Sequence, residues 1–209
     1  LEKDIADRYV LLLEMSVKLT ESRKLAATEF SKLLEEKARL LGMPNLRFEI
    51  ELVPRPEIDE TGAEQICFLF SANKNQPMQP VAEVASGGEI SRLMLCLKAL
   101  IAHETVLPTI IFDEVDTGVS GEVADKMGDI MQEMSQYMQV ISITHLPQVA
   151  SKGRHHYRVY KQDTEISTQT HIEELKDRKR IEEIARMLSG AKLTDEAVNN
   201  ARVLLGKNI

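Results

Sequence analysis

The first forty-one residues, Leu1 to Leu41, contain neither Gly nor Pro and are rich in Leu, Ala, Glu, Lys and Arg, which leaves one long helix as the fold open to them. Steps of alternately four and three residues pick out Ile5, Tyr9, Leu12, Ser16, Leu19, Arg23, Ala26, Phe30, Leu33, Lys37 and Leu40. Most of these are apolar, the pattern of a coiled-coil seam. At 1.5 Å per residue such a helix is a rod of roughly 60 Å, long for a globular protein. The alternative is an amphipathic helix lying on its own domain. Either way Gly42 should end it, with Pro44 blocking continuation, so residues 1–42 read as an arm and 43–209 as a separate domain. Because Leu1 stands inside the helical pattern with no initiator Met, a fragment of a longer protein is expected.

Beyond Gly42 the period changes. Leu46, Phe48, Ile50 and Leu52 alternate with other residues as in a half-buried strand closed by Pro54, and "PRPEIDETGAE" reads as a hairpin-like connection. "QICFLFSAN" is a second, more buried strand, and "KNQPMQP" a loop. A turn at Ser86 leads into a helix near Ile90 to Ala102 that is apolar on most sides and should be largely buried. "PTIIFDE" has the continuous apolar character of a parallel strand. Val123, Met127, Ile130, Met131 and Met134 follow at helical spacing, and "MQVISIT" is another buried strand, which together make a βαβ unit. Two more strands, "HYRVYKQ" and "ISTQTHIEEL", precede helices near 177–188 and 194–205. The class is therefore α/β, a parallel βαβ sheet core with flanking helices behind a long helix.

In a βαβ unit both strands end at one edge, where open α/β sheets place their ligands. Asp113 and Glu114 end the first strand, and Thr144 and His145 the second. An apolar strand ending in Asp-Glu suits nucleotide hydrolysis, with one carboxylate holding Mg²⁺ through water and the other orienting the attacking water. Ser86-Gly87-Gly88 at a helix start lets a backbone approach a phosphate, although a plain N-cap by Ser86 explains the same residues. His145 alone reads as well as a hydrogen-bonded strand-end histidine as it does a ligand.

Order and spacing tie these features together. "SGGE", about twenty residues of helix, "IIFDE", "VDTGVSG", a crossover helix and a strand ending in His145 resemble the head of the ABC ATPases. In that resemblance they are the signature motif, the Walker B pair, the D-loop and the switch histidine. "ASGGEISRLMLCLKAL", "IIFDEVDTGVSG" and "ITHLPQVAS" resemble more closely the RecN family, SMC-like bacterial ATPases of DNA double-strand-break repair and recombination, and the likeness runs from the arm to the last helices. The resemblance implies the C-terminal lobe of an ABC/SMC-type head preceded by the returning arm of a coiled coil. It implies ATP and Mg²⁺ as ligands, with Asp113 on the metal, Glu114 polarising water and His145 at the γ-phosphate. Ser86, Gly87 and Gly88 would face a nucleotide held by the opposite protomer, and Asp116 would sit at that dimer interface. Ala85 departs from the usual Leu, and Glu89 from the Gln of many transporters. A P-loop needs G-x-x-x-x-G-K-[ST], and the nearest approach, Gly206-Lys207, has Ala201 in place of the first Gly and Asn208 after the Lys. The chain should thus depend on an N-terminal half that carries the P-loop and be inactive alone.

The partners implied are that half, a second copy of the head and DNA at double-strand ends. The competing readings are the nucleotide-binding subunit of an ABC transporter and a non-hydrolysing SMC-like structural module. A net charge of −7 excludes a globally basic nucleic-acid coat but leaves local patches such as "KGRHHYR" and "KDRKR", which read equally as solvated surface charge. No apolar run approaches the ~20 residues that span a bilayer, so no membrane is expected. Cys67 and Cys96, both in apolar surroundings, read as reduced core residues of a cytoplasmic, nucleoid-associated protein.

Overall fold

Helix α1 runs from Glu2 to Leu40, as the absence of Gly and Pro requires. It ends where Gly42 takes φ 73°, a left-handed conformation that costs a glycine little, and the amides of Leu41, Gly42 and Met43 return to the carbonyls of Ala38 and Arg39. Glu2 and Asp4 in the first turn and Lys37 and Arg39 in the last oppose the helix dipole favourably. The computed structural model describes residues 1–83, 87–102, 104, 107–163, 167–190 and 192–206, which divide into two compact units, Leu1–Leu100 and Ile101–Ile209.

In the first unit α1 packs on an antiparallel sheet of order β1 (Arg47–Asp59), β2 (Gly62–Ser71) and β3 (Gln79–Pro80). Its buried stripe is Ser16, Leu34 and Ala38, with Thr20, Arg23, Ala27 and Phe30 half-buried along the same line. That stripe shares Ser16, Arg23 and Phe30 with the predicted seam but drifts off it, as a straight 3.6-residue helix drifts from a 3.5-residue repeat. Seam residues Ile5, Tyr9, Leu12 and Leu19 are exposed. Polar contacts fix the arm against the hairpin. Thr20 and Arg23 hydrogen-bond the buried Glu64, Arg23 also reaches the Thr61 carbonyl at 2.6 Å, and Glu35 accepts the Phe48 amide at 3.1 Å. Phe48 stacks on Phe68 with centroids 6.0 Å apart and meets Phe30 at 6.5 Å.

Two expectations change here. Pro54 does not close β1, which continues to Asp59 and pairs Pro54 with Glu64 before the register shifts. Among the described residues β1 pairs with β2 alone, which makes it an edge strand, where a residue without an N–H is tolerated. The hairpin turn is correspondingly short, at Glu60 and Thr61. Nor is β2 uniformly buried, since Ile66 and Phe68 are exposed. Helix α2 (Gly88–Leu100) buries Leu93, Leu95 and Cys96 while Met94 is exposed. Burial pushes the Cys96 thiol up to about 12, so it is inert, and Cys67 is half-buried and also free.

The second unit begins with the expected crossover, β4 (Thr109–Asp113), α3 (Gly121–Met134) and β5 (Gln139–Ile143), the strands parallel with Asp113 opposite Ile143. Met127, Ile130, Met131 and Met134 are buried on one face of α3, each worth roughly 1.5–3 kcal/mol of hydrophobic stabilisation. The strands themselves are less covered than their sequences suggest, for Ile111, Ile141 and Ile143 are 62%, 42% and 52% exposed. Helix α4 (Pro147–Lys152) leads to the antiparallel pair β6 (His156–Asp163) and β7 (Thr168–Leu175), then α5 (Asp177–Ser189) and α6 (Asp195–Leu204). Ile184, Ala185, Ala197 and Ala201 close the α5–α6 core. Thr194 caps α6 by accepting the Ala197 amide at 3.2 Å. Among the described residues no helix is long and apolar enough to cross a membrane.

Candidate functional site

The parallel register of β4 and β5 brings the residues after Asp113 beside those after Ile143. Glu114 donates its amide to the Ile143 carbonyl at 3.1 Å, which extends the ladder by one bond, and then turns sharply at φ 48°. A left-handed glutamate is uncommon and strained, and such residues cluster at functional sites. The turn is held by the Thr117 amide and hydroxyl, which donate to the Glu114 carbonyl at 3.3 and 2.9 Å, and by Gly118 at φ 77°. Asp113 and Glu114 are left exposed at the strand end.

Asp116 behaves differently. Its side chain is 1% exposed, and one carboxylate oxygen accepts the Thr144 hydroxyl. Thr144 Oγ1 in turn accepts the Leu146 amide at 3.0 Å. The other oxygen, Oδ1, has no hydrogen-bond partner among the described residues and lies 3.7 Å from His145 Nδ1, on a ring that is 65% exposed. The sequence places Thr144 at the end of the second strand but assigns it no role. The available signal is its place one residue before His145, at the end of the strand parallel to β4.

The structure thus groups Asp113, Glu114, Asp116 and His145 at one end of the β4–β5 pair. Gly87 and Gly88 belong to the first unit, at the start of α2, where the Gly87 carbonyl accepts the Ser91 amide at 3.1 Å. A Cβ built on Gly87 meets no atom of the described residues within 4 Å beyond its chain neighbours, so on that side its backbone is open to approach. Glu89 is exposed in the first turn, a position that suits the helix dipole. Ser86 and Ala85 lie outside the described residues.

Among the described residues no group of three or more His, Cys, Asp or Glu is placed to hold a metal ion. Asp113 is there a single exposed carboxylate, a hard oxygen donor of the kind Mg²⁺ takes together with water or other oxygen ligands.

Most basic side chains of these stretches make contacts within the second unit. Lys152 bonds Asp129 at 2.7 Å and Asp125 at 3.0 Å, and the Asp129 hydrogen bond holds its ammonium above the usual lysine value. Arg180 donates to the carbonyls of Ser151 and Gly153 at 2.9 and 2.5 Å. Lys176 meets Glu174 at 3.0 Å, Arg178 meets Glu182 at 2.8 Å, and Lys179 pairs with Glu173.

No protein-family model matches the chain. Curated relatives do. The chain is 37% identical over 188 residues to the DNA repair protein RecN of Haemophilus influenzae, covering 90% of this chain and 34% of that protein. It is 38% identical over 198 residues to the RecN of Vibrio cholerae, covering 94% of this chain and 36% of that protein. The chain spans about a third of the length of the relatives it matches. Among solved structures it resembles the Smc head domain with a coiled coil and joint from Pyrococcus yayanosii, with TM-score 0.64 and 20% identity over 90% of this chain and 34% of that one. A second SMC ATPase structure, from a study of ATP-driven dimerisation and DNA-stimulated activation, gives TM-score 0.50 and 15% identity over 84% of this chain and 99% of that one. These likenesses show the fold, that of an SMC-type head, and the α/β class is as the sequence suggested.

Proposed function

We propose that this chain, a RecN-like sequence folded as part of an SMC-type head, is the C-terminal lobe (residues 43–209) and returning arm (residues 1–42) of an ATPase acting in DNA double-strand-break repair and recombination. The observation that carries the reading is the grouping of Glu114, Asp113 and His145 at the ends of two parallel strands, with Glu114 in a strained turn. The N-terminal half of the same protein supplies the P-loop, and two heads sandwich ATP between them.

Glu114 then orients the attacking water, and its exposed carboxylate is free to accept a proton from it. His145 offers a nitrogen to the γ-phosphate. Asp113 helps hold Mg²⁺, which neutralises charge on the phosphates when bound. Gly87, with no side chain at the start of α2, leaves the backbone there open to a phosphate presented by the partner head, and Ser86 and Gly88 complete the motif that faces it. ATP joins the heads and hydrolysis releases them. The protein works in the cytoplasm on the nucleoid, on DNA ends, without contact to a membrane.

The test is Glu114→Gln in the chain joined to its N-terminal half, followed by light scattering with and without ATP. Glutamine keeps the shape and removes the charge, so dimers should form and persist with ATP. Dimers that fall apart on ATP addition would contradict the sandwich.

A further inference from the structure

The buried carboxylate of Asp116 has a defined direction. The Leu146 amide occupies a lone pair of Thr144 Oγ1, which leaves the hydroxyl hydrogen for Asp116 Oδ2. The carboxylate is thereby pinned from one side, and Oδ1 is the oxygen without a partner among the described residues. A buried carboxylate oxygen needs a donor, and His145 faces it with Nδ1 3.7 Å away. The imidazole is 65% exposed, so a shift of roughly 1 Å brings Nδ1 into hydrogen-bond range.

We propose that Asp116 is a positioning residue for His145: its pinned carboxylate takes the Nδ1–H and thereby turns Nε2 away, toward whatever anion binds at the strand ends. The relay runs from the Leu146 amide through Thr144 and Asp116 to the ring. It fixes both the orientation and the tautomer of a side chain that its own exposure leaves free to rotate. On meeting an anionic oxygen, Nε2 donates as well, the form in which both ring nitrogens are donors. The part of this that concerns phosphate rests on the ATPase reading above; the part that concerns Asp116 and His145 does not.

Two measurements test it. The first is the tautomer of His145 in the whole chain labelled with ¹⁵N-histidine, read by long-range ¹H–¹⁵N correlation at about pH 8.5, two units above the ordinary histidine value of about 6.5. The signal is assigned by its loss in His145→Gln. The expected result is a majority Nδ1-protonated ring, reverting in Asp116→Ala to the ordinary majority protonated at Nε2, with partial reversion in Thr144→Val. A wild-type ring protonated mainly at Nε2 overturns the proposal, whether or not either variant folds. The second is turnover of the joined protein, where Asp116→Ala should lower kcat roughly 10–100-fold, the size of losing the outer partner of a functional histidine. A reverted tautomer with full kcat overturns the positioning role. Wild-type protein that shows the expected tautomer and hydrolyses no ATP would sink the ATPase reading while upholding the Asp116–His145 contact.

Discussion

The α5–α6 pair and the β4–β5 pair both carry an apolar face and end in opposite conditions. Ile184, Ala185, Ala197 and Ala201 are sealed inside the helix pair by residues of the same unit. Ile111, Ile141 and Ile143, which belong to the strands that carry the acidic edge, stay largely exposed. Among the described residues the helix pair covers its own core, whereas the site-bearing strands leave Ile111, Ile141 and Ile143 exposed. A region can be incomplete in packing while its polar edge is already arranged, because ladder hydrogen bonds and the Thr144–Asp116 contact are local to the two strands.

That contrast can be broken or sharpened by substitution. The largest effect belongs to the edge: in the joined protein Glu114→Gln should reduce ATP turnover by roughly 10²–10⁴ and leave the melting temperature unchanged, as calorimetry would show. A large loss of stability there would mean that the edge is structural. Next comes the sealed core, where Ile184→Ala should cost about 2–5 kcal/mol in urea unfolding. Ile111→Ala should stay within about 0.5 kcal/mol in this chain, as exposed positions do. Equal losses at the two sites would erase the contrast. Thr194→Ala removes the cap of α6 and should cost about 1 kcal/mol by the same measurement. Smallest is Arg178→Ala, which breaks an ion pair with Glu182 on a side chain 91% exposed, worth less than about 0.5 kcal/mol and vanishing in high salt.

How far the sequence could be read follows from what each signal reports. Gly42 with Pro44 marked the end of α1, and the methionine spacing marked α3, because both depend on the local chain alone. The burial of β2, β4 and β5 was overestimated for a physical reason: apolar residues record what a strand is suited to lie against, and the described residues of this chain do not cover those faces. Pro54 misled because an edge strand cannot be told from a central one before its neighbours are known. The places of Asp113, Glu114 and His145 at the ends of two neighbouring parallel strands were legible from the apolar runs that precede them. That Asp116 turns inward to Thr144 was not, since it depends on the tight turn after Glu114 and on the register of a strand thirty residues away.

The most direct measurement is steady-state ATP hydrolysis by this chain alone and joined to its N-terminal half, each with and without linear duplex DNA. The expected result is no turnover from the chain alone and DNA-stimulated turnover from the joined protein, lost with Glu114→Gln. Hydrolysis by the chain alone would reveal a phosphate site that its residues do not show and would contradict the split head, while joined activity indifferent to DNA would favour a transporter-like ATPase.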